Sequence, residues 1–342
     1  MRRIKVSNEV LSFFAALCFL GAWAEYLLPK PLPFLRFGLA NFPILIAAVL
    51  FSPKMFFSLS LMKIFCQGMV AGTFFSPIFL FSLCSSITSA LITFILASLF
   101  FPKFISFVGM SLAGALGANL MQAFLAKIIL GFEFSAVALP LFTLGIVTSV
   151  ALGFFADFFF RKSETVAKIQ EGNFSVTFPK VIQREGEKPK MILAAVGIIL
   201  LVIILFAKSL SIILPIFILS LVLNLATSVK ISIKPAIIFM FFVVFFNLFS
   251  PAGKVLFSLG GFKITEFALK GGIEKALRMQ GMIFLSTWIF KNKAFPRGKF
   301  SEFLDGVLAL ANKFTEKVGK RSDKLSPAFL VKVIDETLSE EA

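Results

Sequence analysis

Residues 78–101 read IFLFSLCSSITSALITFILASLFF and contain no charged side chain. A helix of about 20 mostly apolar residues is long enough to cross a bilayer. Stretches of this kind recur along the chain, and they predict an all-α membrane protein with about ten transmembrane helices. The predicted spans are 8–28, 38–51, 55–72, 78–101, 104–131, 136–160, 191–207, 209–227, 235–250 and a last one that ends near Phe290. Span 38–51 is short and follows Pro31 and Pro33, so a full crossing, a tilted helix and a re-entrant segment are all open for it.

The overall composition also favours lipid as the surroundings of this chain. Hydrophobic residues make up 58% of its 342 residues, and Phe alone occurs 48 times. Soluble domains contain about 45–50% apolar residues, so a soluble fold of this composition would expose more apolar surface than it could bury. The formal net charge is +16. Because the basic residues stand at the ends of apolar runs and form no patch or stripe, we predict no nucleic-acid partner.

Lysine and arginine are distributed unevenly between the two sets of predicted loops. With ten spans, one face of the membrane carries Arg2, Arg3, Lys5, Lys54, Lys103, the basic residues of 161–190, Lys230, Lys234 and those from Lys291 onward. The loops of the other face contain only Lys30, Arg36, Lys208, Lys254, Lys263 and Lys270. This asymmetry predicts that both termini are cytoplasmic. The segment Ala22-Trp23-Ala24 fits a signal-peptidase site, but the apolar run continues through Leu28, which favours a retained first helix.

A long polar segment rich in Lys and Glu separates two apolar blocks and predicts the domain boundaries. Residues 1–162 form a membrane domain of six helices, and residues 163–190 form a cytoplasmic linker. Residues 191–298 form a second membrane domain of four helices, and residues 299–342 form cytoplasmic amphipathic helices.

The C-terminal segment repeats apolar residues at helical spacing, which predicts two amphipathic helices. Phe303, Val307 and Phe314 lie on the apolar stripe of the first helix, and Ile334 lies on that of the second. One interpretation is a docking surface for a cytoplasmic partner. The alternative is that these helices lie on the membrane surface or pack on the other helices of the chain, and both remain open.

The sequence predicts neither an enzyme nor a resident metal or cofactor. Histidine is absent, and Cys18, Cys66 and Cys84 stand alone in apolar runs, so no metal-ligand spacing exists. The chain has no aspartate-rich cluster that could hold magnesium and a diphosphate. It also lacks the glycine-rich loop of P-loop ATPases. We therefore expect no catalytic residue and no ATP hydrolysis by a P-loop of this chain.

Several polar side chains interrupt the apolar spans. Because polar groups inside a membrane are costly, each is a candidate functional residue. Glu25 lies near the end of the first span, Lys63 and Gln67 share a face of the third, and Asn119 and Gln122 lie in the fifth. A shared cavity would explain them together. The alternatives are interfacial snorkelling for Glu25 and a purely structural partner for Lys63.

Residues 25–41, EYLLPKPLPFLRFGLAN, resemble the Gx transporter family, often labelled heptaprenyl diphosphate synthase component I. The resemblance covers residues 8–160 and rests on the glutamate, the prolines and Gly-Leu-Ala-Asn; residues 117–122 echo a second family stretch. The sequence departs from the family pattern at Phe34, Lys63, Ala118 and Met121. That family is similar to the substrate-binding S components of energy-coupling factor (ECF) importers. Together with the polar residues inside the apolar spans, the resemblance predicts that the substrate-binding residues are Glu25, Asn41, Lys63, Gln67, Asn119 and Gln122.

Residues 191–318 look like a truncated T component of the same importers. The resemblance rests on the region around Asn247 and on residues 264–278, and it implies partner-coupling roles for Arg278, Phe303, Val307 and Phe314. T components carry Ala-Arg-Gly-like motifs on their coupling helices, and this sequence has none. The implied partners are two ABC-type ATPase subunits.

The resemblance implies a multi-pass subunit of the bacterial cytoplasmic (inner) membrane, surrounded by lipid, which imports a small molecule with energy from ATPases supplied in trans. Lys63 and Arg36 favour an anionic substrate. One alternative is a non-catalytic accessory subunit of heptaprenyl diphosphate synthesis. Another is a scaffold for membrane flavin or electron-transfer proteins.

Overall fold

A computed structural model places most of the predicted helices. The residues that it describes are 8–27, 38–71, 73–74, 76–130, 134–172, 191–207, 209–227, 233–249, 253–259, 262–291, 328, 331–332 and 334–335. The helices are α1 Asn8–Leu27, α2 Phe42–Leu50, α3 Pro53–Ala71, α4 Pro77–Leu99, α5 Phe107–Leu125, α6 Phe134–Lys162, α7 Glu164–Glu171, α8 Met191–Phe206, α9 Leu210–Ala226, α10 Ile233–Asn247 and α11 Glu266–Lys291. A 3₁₀ turn, Leu39–Asn41, precedes α2, and a π-helical turn, Ala126–Leu130, follows α5.

Small polar residues fix the starts of several helices. The Oγ of Ser106 accepts a hydrogen bond from the backbone N–H of Gly109 at 3.3 Å, which caps α5. The Oγ1 of Thr265 accepts one from the N–H of Ala268 at 3.2 Å, which caps α11. Helix α4 begins with Pro77 directly after Ser76, the arrangement that proline favours at a first helical position.

The helical membrane class is confirmed, but the count of ten spanning helices is not. Within the described residues, Pro77–Leu99, Phe107–Ile129 and Ala138–Lys162 are long and apolar enough to cross a membrane. The other apolar helices are shorter: Glu9–Ala22, Leu39–Leu50, Ala195–Phe206, Leu210–Ala226 and Ala236–Asn247. The sequence also did not predict a strand pair, the antiparallel hairpin of β1 Val255–Leu259 and β2 Phe262–Thr265 before α11.

Helix α2 is the centre of the first bundle, because all nine of its residues are buried. It packs against α1, α3, α4, α5 and α6. Together with the preceding turn it is roughly 18 Å long at the usual rise per residue, which is short of the ~30 Å hydrocarbon core. Span 38–51 is therefore a short helix surrounded by protein, with its side chains in a phenylalanine-rich core. Phe14 and Phe51, for example, meet edge to face with ring centroids 4.9 Å apart.

Helix α11 organises the second group of helices and packs against α8, α9 and α10. The two groups meet in one apolar cluster. Helices α4 to α6 and the π-helical turn contribute Ile78, Phe81, Ala123, Ala126, Ala138 and Leu141 to it. Helices α10 and α11 contribute Val243, Phe246, Ala276 and Met279. Side chains of both helix groups are therefore buried against each other in this cluster.

The end of the chain packs back on the first group, on helix α7. Val331 and Ile334 are buried in the same cluster as Val166 and Ile169 of α7. The Asp335 carboxylate accepts hydrogen bonds from the Ser163 Oγ at 2.7 Å and the Thr165 Oγ1 at 2.7 Å. It also accepts one from the backbone N–H of Glu164 at 3.1 Å. For the second amphipathic helix the described residues therefore pack on the chain itself, whereas Phe303, Val307 and Phe314 lie outside the described residues.

We expect Asp335→Asn to loosen this contact. The substitution removes the charge and turns one acceptor oxygen into a donor facing the α7 N-terminus. Hydrogen bonds to a charged group contribute about 1.5–3 kcal/mol, so hydrogen exchange in 163–171 and 328–335 should accelerate roughly 10- to 100-fold. The measurement is hydrogen–deuterium exchange of the detergent-purified chain. Asp157→Asn is the matched control, because Asp157 makes only an exposed ion pair with Arg161 at 3.0 Å; equal exchange in both variants would contradict the expected role.

Candidate functional site

The turn before α2 ties two of the predicted site residues to the backbone. Gly38 has φ +80°, a left-handed conformation that favours glycine. Its N–H donates to the Glu25 Oε2 at 3.2 Å, and Glu25 is only 2% exposed. Asn41 ends the 3₁₀ turn, and its Oδ1 accepts a hydrogen bond from the Lys63 Nζ. Gly-Leu-Ala-Asn thus joins the end of α1 to the middle of α3.

A polar cavity lies among helices α2 to α6. Its volume is about 50 Å³, which is room for roughly three to five water molecules. The residues that line it are Gly38, Asn41, Ile44, Leu45, Lys63, Gln67, Ser85, Ser86, Ser89, Thr93, Ser111, Ala115, Ala118, Asn119, Gln122, Gly145, Thr148, Ser149 and Leu152. The cavity is thus a polar volume inside an otherwise apolar bundle.

Five of the six residues named as substrate-binding line this one cavity. They are Asn41, Lys63, Gln67, Asn119 and Gln122. Glu25 does not line it and lies behind Gly38. Arg36, the other cation of the anionic-substrate hypothesis, lies outside the described residues. The structure therefore brings the intramembrane polar residues together, and their role in binding a substrate stays a prediction.

The two glutamines of the cavity are incompletely satisfied. Gln67 is 4% exposed and Gln122 is 3% exposed. The Oε1 of each is buried without a hydrogen-bonding partner. A buried amide oxygen without a partner costs about 1–3 kcal/mol. Each glutamine thus has an amide oxygen that no group of the described residues satisfies, so it is free to accept a hydrogen bond from water or a ligand.

Asn119 is held in place by the neighbouring helix. Its Nδ2 donates to the backbone carbonyl of Leu141 at 2.8 Å, and it is 5% exposed. Gly145, one turn further along α6, leaves the space that Asn119 occupies, since a Cβ on Gly145 would lie 2.0 Å from the Asn119 Nδ2. A small residue at this position is therefore a condition for the cavity wall.

We expect Gly145→Ala to displace Asn119 from the Leu141 carbonyl and to destabilise the protein by about 1–3 kcal/mol. Thermal unfolding of the purified chain measures this. Gly271→Ala is the control, because its added Cβ would meet only ordinary contacts, the nearest at 3.6 Å. In an Asn119→Ala background the Gly145 substitution should cost almost nothing; an undiminished cost there would mean that Asn119 is not the group displaced.

The sequence reasoning missed the hydroxyl groups of the cavity. Ser85, Ser89 and Thr93 repeat every four residues on α4 and line the wall. Thr148 and Ser149 of α6 face them across the cavity. The four-residue spacing of hydroxyls within an apolar span was the signal that could have found the first three.

A second polar cluster lies in the other helix group. The Asn247 Oδ1 accepts a hydrogen bond from the Lys275 Nζ at 2.8 Å, and its Nδ2 donates to the Ala268 carbonyl at 2.6 Å. Arg278, the one predicted coupling residue that is described, donates from Nη2 to the Ala207 carbonyl at 2.5 Å. It is half-buried between α8 and α11, and its coupling role stays a prediction. No group of three or more Cys, Asp or Glu among the described residues could hold a metal ion.

Apolar helices around a polar cavity define a helical membrane protein. Residues 14–159 match the family model described as heptaprenyl diphosphate synthase component I, which confirms the resemblance to that family for this part of the chain. Residues 189–292 match a model described as a domain of unknown function (DUF8519). No curated protein and no solved structure matches the chain.

Proposed function

We propose that this chain is the membrane subunit of an ECF-type importer, which binds a small molecule in the cavity of its first six helices. ATPases supplied in trans would drive the transport. The observation that carries the proposal is the cavity itself. Five polar residues from three separate segments converge on it, although each interrupts an otherwise apolar helix or turn.

The energetics of the cavity favour a ligand. Lys63 is 5% exposed, and two glutamine amides beside it have an unsatisfied end. Such groups lower the stability of the empty protein, so they are retained more easily if a bound molecule offsets their cost. A purely structural role would favour apolar residues of the same size at Gln67 and Gln122.

The contact between the helix groups supports a coupling role for the second one. Gln122 lines the cavity, and the next residue, Ala123, packs in the apolar cluster with Val243 and Phe246. The Leu141 carbonyl accepts a hydrogen bond from Asn119, and the Leu141 side chain belongs to the same cluster. A displacement of α10 or α11 would therefore act directly on the cavity wall. We propose that the second helix group, which resembles a T component, moves the first group, which resembles an S component, through this contact.

The second candidate is an accessory subunit of heptaprenyl diphosphate synthesis, and the description of the family that residues 14–159 match favours it. The cavity is small and polar, so it does not suit a long prenyl chain. In this reading the subunit would act through contacts with a synthase, and the cavity would have no assigned ligand.

The test is purification of the full-length chain from its native membrane in mild detergent. We expect two ABC-type ATPase subunits to accompany it. We also expect membrane vesicles that contain the complex to accumulate substrate only with ATP. Co-purification of a prenyltransferase in place of ATPases would overturn the importer proposal and support the second candidate.

A further inference from the structure

Three of the seven hydroxyl groups that line the cavity are oriented by their own helices. The Ser85 Oγ donates to the Phe81 carbonyl at 2.5 Å, and the Thr148 Oγ1 donates to the Leu144 carbonyl at 2.9 Å. The Ser149 Oγ donates to the Ile146 carbonyl at 3.0 Å. A hydroxyl has one proton and two lone pairs. Since these three protons are used within the helices, the hydroxyls offer acceptors to the cavity, and a complementary ligand must carry donors.

The charged and apolar parts of the wall narrow the choice further. Among the described residues that line the cavity, Lys63 is the only ionisable side chain. Its ammonium carries three N–H donors and suits an anionic group. Gln67 and Gln122 can each accept a hydrogen bond through the unsatisfied Oε1. A ligand with both hydroxyls and an anionic group would meet all of these groups.

Aromatic side chains are absent from this part of the wall, although the chain contains 48 Phe. A flat aromatic ligand is often held by stacking on aromatic rings, and the described lining offers none. The cavity volume of about 50 Å³ also favours a small ligand over a large one.

We propose that the cavity binds a small, non-aromatic, hydroxylated anion, of the class of short hydroxycarboxylates and hydroxyalkyl phosphates. This inference rests on the proposed capture function and specifies its substrate. The anionic group lies at Lys63 and Asn41, and the hydroxyls of the ligand donate to Ser85, Thr148 and Ser149.

The test is isothermal titration calorimetry of the full-length, detergent-purified chain with five probes. D-glycerate and glycerol 3-phosphate carry both features, glycerol lacks the charge, propionate lacks the hydroxyls, and benzoate is aromatic. We expect at least one of the first two to bind at least tenfold more tightly than the other three. Whichever of D-glycerate and glycerol 3-phosphate binds more tightly shows whether the site prefers a carboxylate or a phosphate. Tighter binding of glycerol, propionate or benzoate would overturn the ligand class.

A pair of isosteric variants tests the acceptor role. Thr148→Val removes a hydroxyl that lines the cavity, and we expect about a 5- to 10-fold loss of affinity for the preferred probe. Thr143→Val is the matched control, because Thr143 lies on the same helix with the same type of bond, to the Leu139 carbonyl at 2.9 Å, but outside the cavity lining. Equal affinity in the two variants would contradict the proposed orientation, and thermal unfolding of both checks that they fold.

One further arm separates a soluble ligand from a lipid. The headgroup of phosphatidylglycerol carries the same chemistry, so the titration is repeated with this lipid added. Unchanged probe binding in the presence of the lipid supports a soluble ligand. Loss of probe binding would mean that the cavity binds the lipid headgroup, and it would overturn the proposal of a soluble ligand. If none of the five probes binds, the ligand class is wrong. Co-purification of ATPases then still decides the importer function independently.

Discussion

Lys63→Gln is expected to lower the affinity for an anionic probe such as D-glycerate roughly 10- to 100-fold, while the affinity for glycerol changes little. The reason is that hydrogen bonds with a charged partner contribute about 1.5–3 kcal/mol, more than those between neutral groups. Lys63 is 5% exposed and is held by Asn41 at the cavity wall, so solvent does not screen its charge as it would at the surface. Titration calorimetry with the two probes measures the difference.

The matched control is Lys127→Gln, since Lys127 is exposed in the π-helical turn of the same helix group. It should bind D-glycerate like the unmodified chain. An equal loss for D-glycerate and glycerol in Lys63→Gln would indicate a general distortion of the cavity. Unchanged affinity for both would show that Lys63 does not contact the ligand.

A double variant, Gln67→Leu with Gln122→Leu, should raise the stability of the empty protein and abolish binding. Each substitution removes a buried amide with an unsatisfied end, and relief of that cost contributes about 1–3 kcal/mol per site. Leucine has a similar volume, so the packing is largely kept. We expect a higher thermal midpoint and a loss of probe affinity of more than about 100-fold, if both amides contribute independently.

Gln280→Leu is the control for this variant, because Gln280 is equally buried, at 3% exposed, but lies on α11 outside the cavity wall. It should leave binding unchanged. A double variant that is less stable than the parent would mean that water or the protein already satisfies the two amides. The argument for a ligand in the cavity would then lose its energetic basis.

Hydropathy alone located the helices well but not their ability to cross the membrane. The predicted spans 191–207 and 209–227 correspond to α8 Met191–Phe206 and α9 Leu210–Ala226. Apolar runs determine where helices form, since lipid requires every backbone group to be satisfied within the segment. Whether a helix spans the membrane also depends on its length and its burial. Helix α2 shows why hydropathy alone does not predict this. It is among the most apolar helices and yet short, and all nine of its residues are buried.

The site was only partly predictable for a different reason. Lys63, Gln67, Asn119 and Gln122 stand out in a sequence because such residues are rare in apolar spans. Single hydroxyl residues such as Thr148 do not stand out, because a hydroxyl can bond to its own helix and is common in membrane helices. Only the tertiary structure places such hydroxyls in the same cavity as Lys63. The capping of α7 by Asp335 was equally invisible, since 170 residues separate Asp335 from Thr165.

The contact between Asp335 and the start of α7 closes the polypeptide into a non-covalent loop. The covalent path leads from the first helix group to the second, and the terminal residues return to where the first group ends, at Ser163 and Thr165. A protease cut between Glu171 and Met191 would therefore not release two separate fragments. The two parts of the cleaved chain would stay together through the apolar cluster that contains Phe246 and through the buried contacts of the terminal residues with α7.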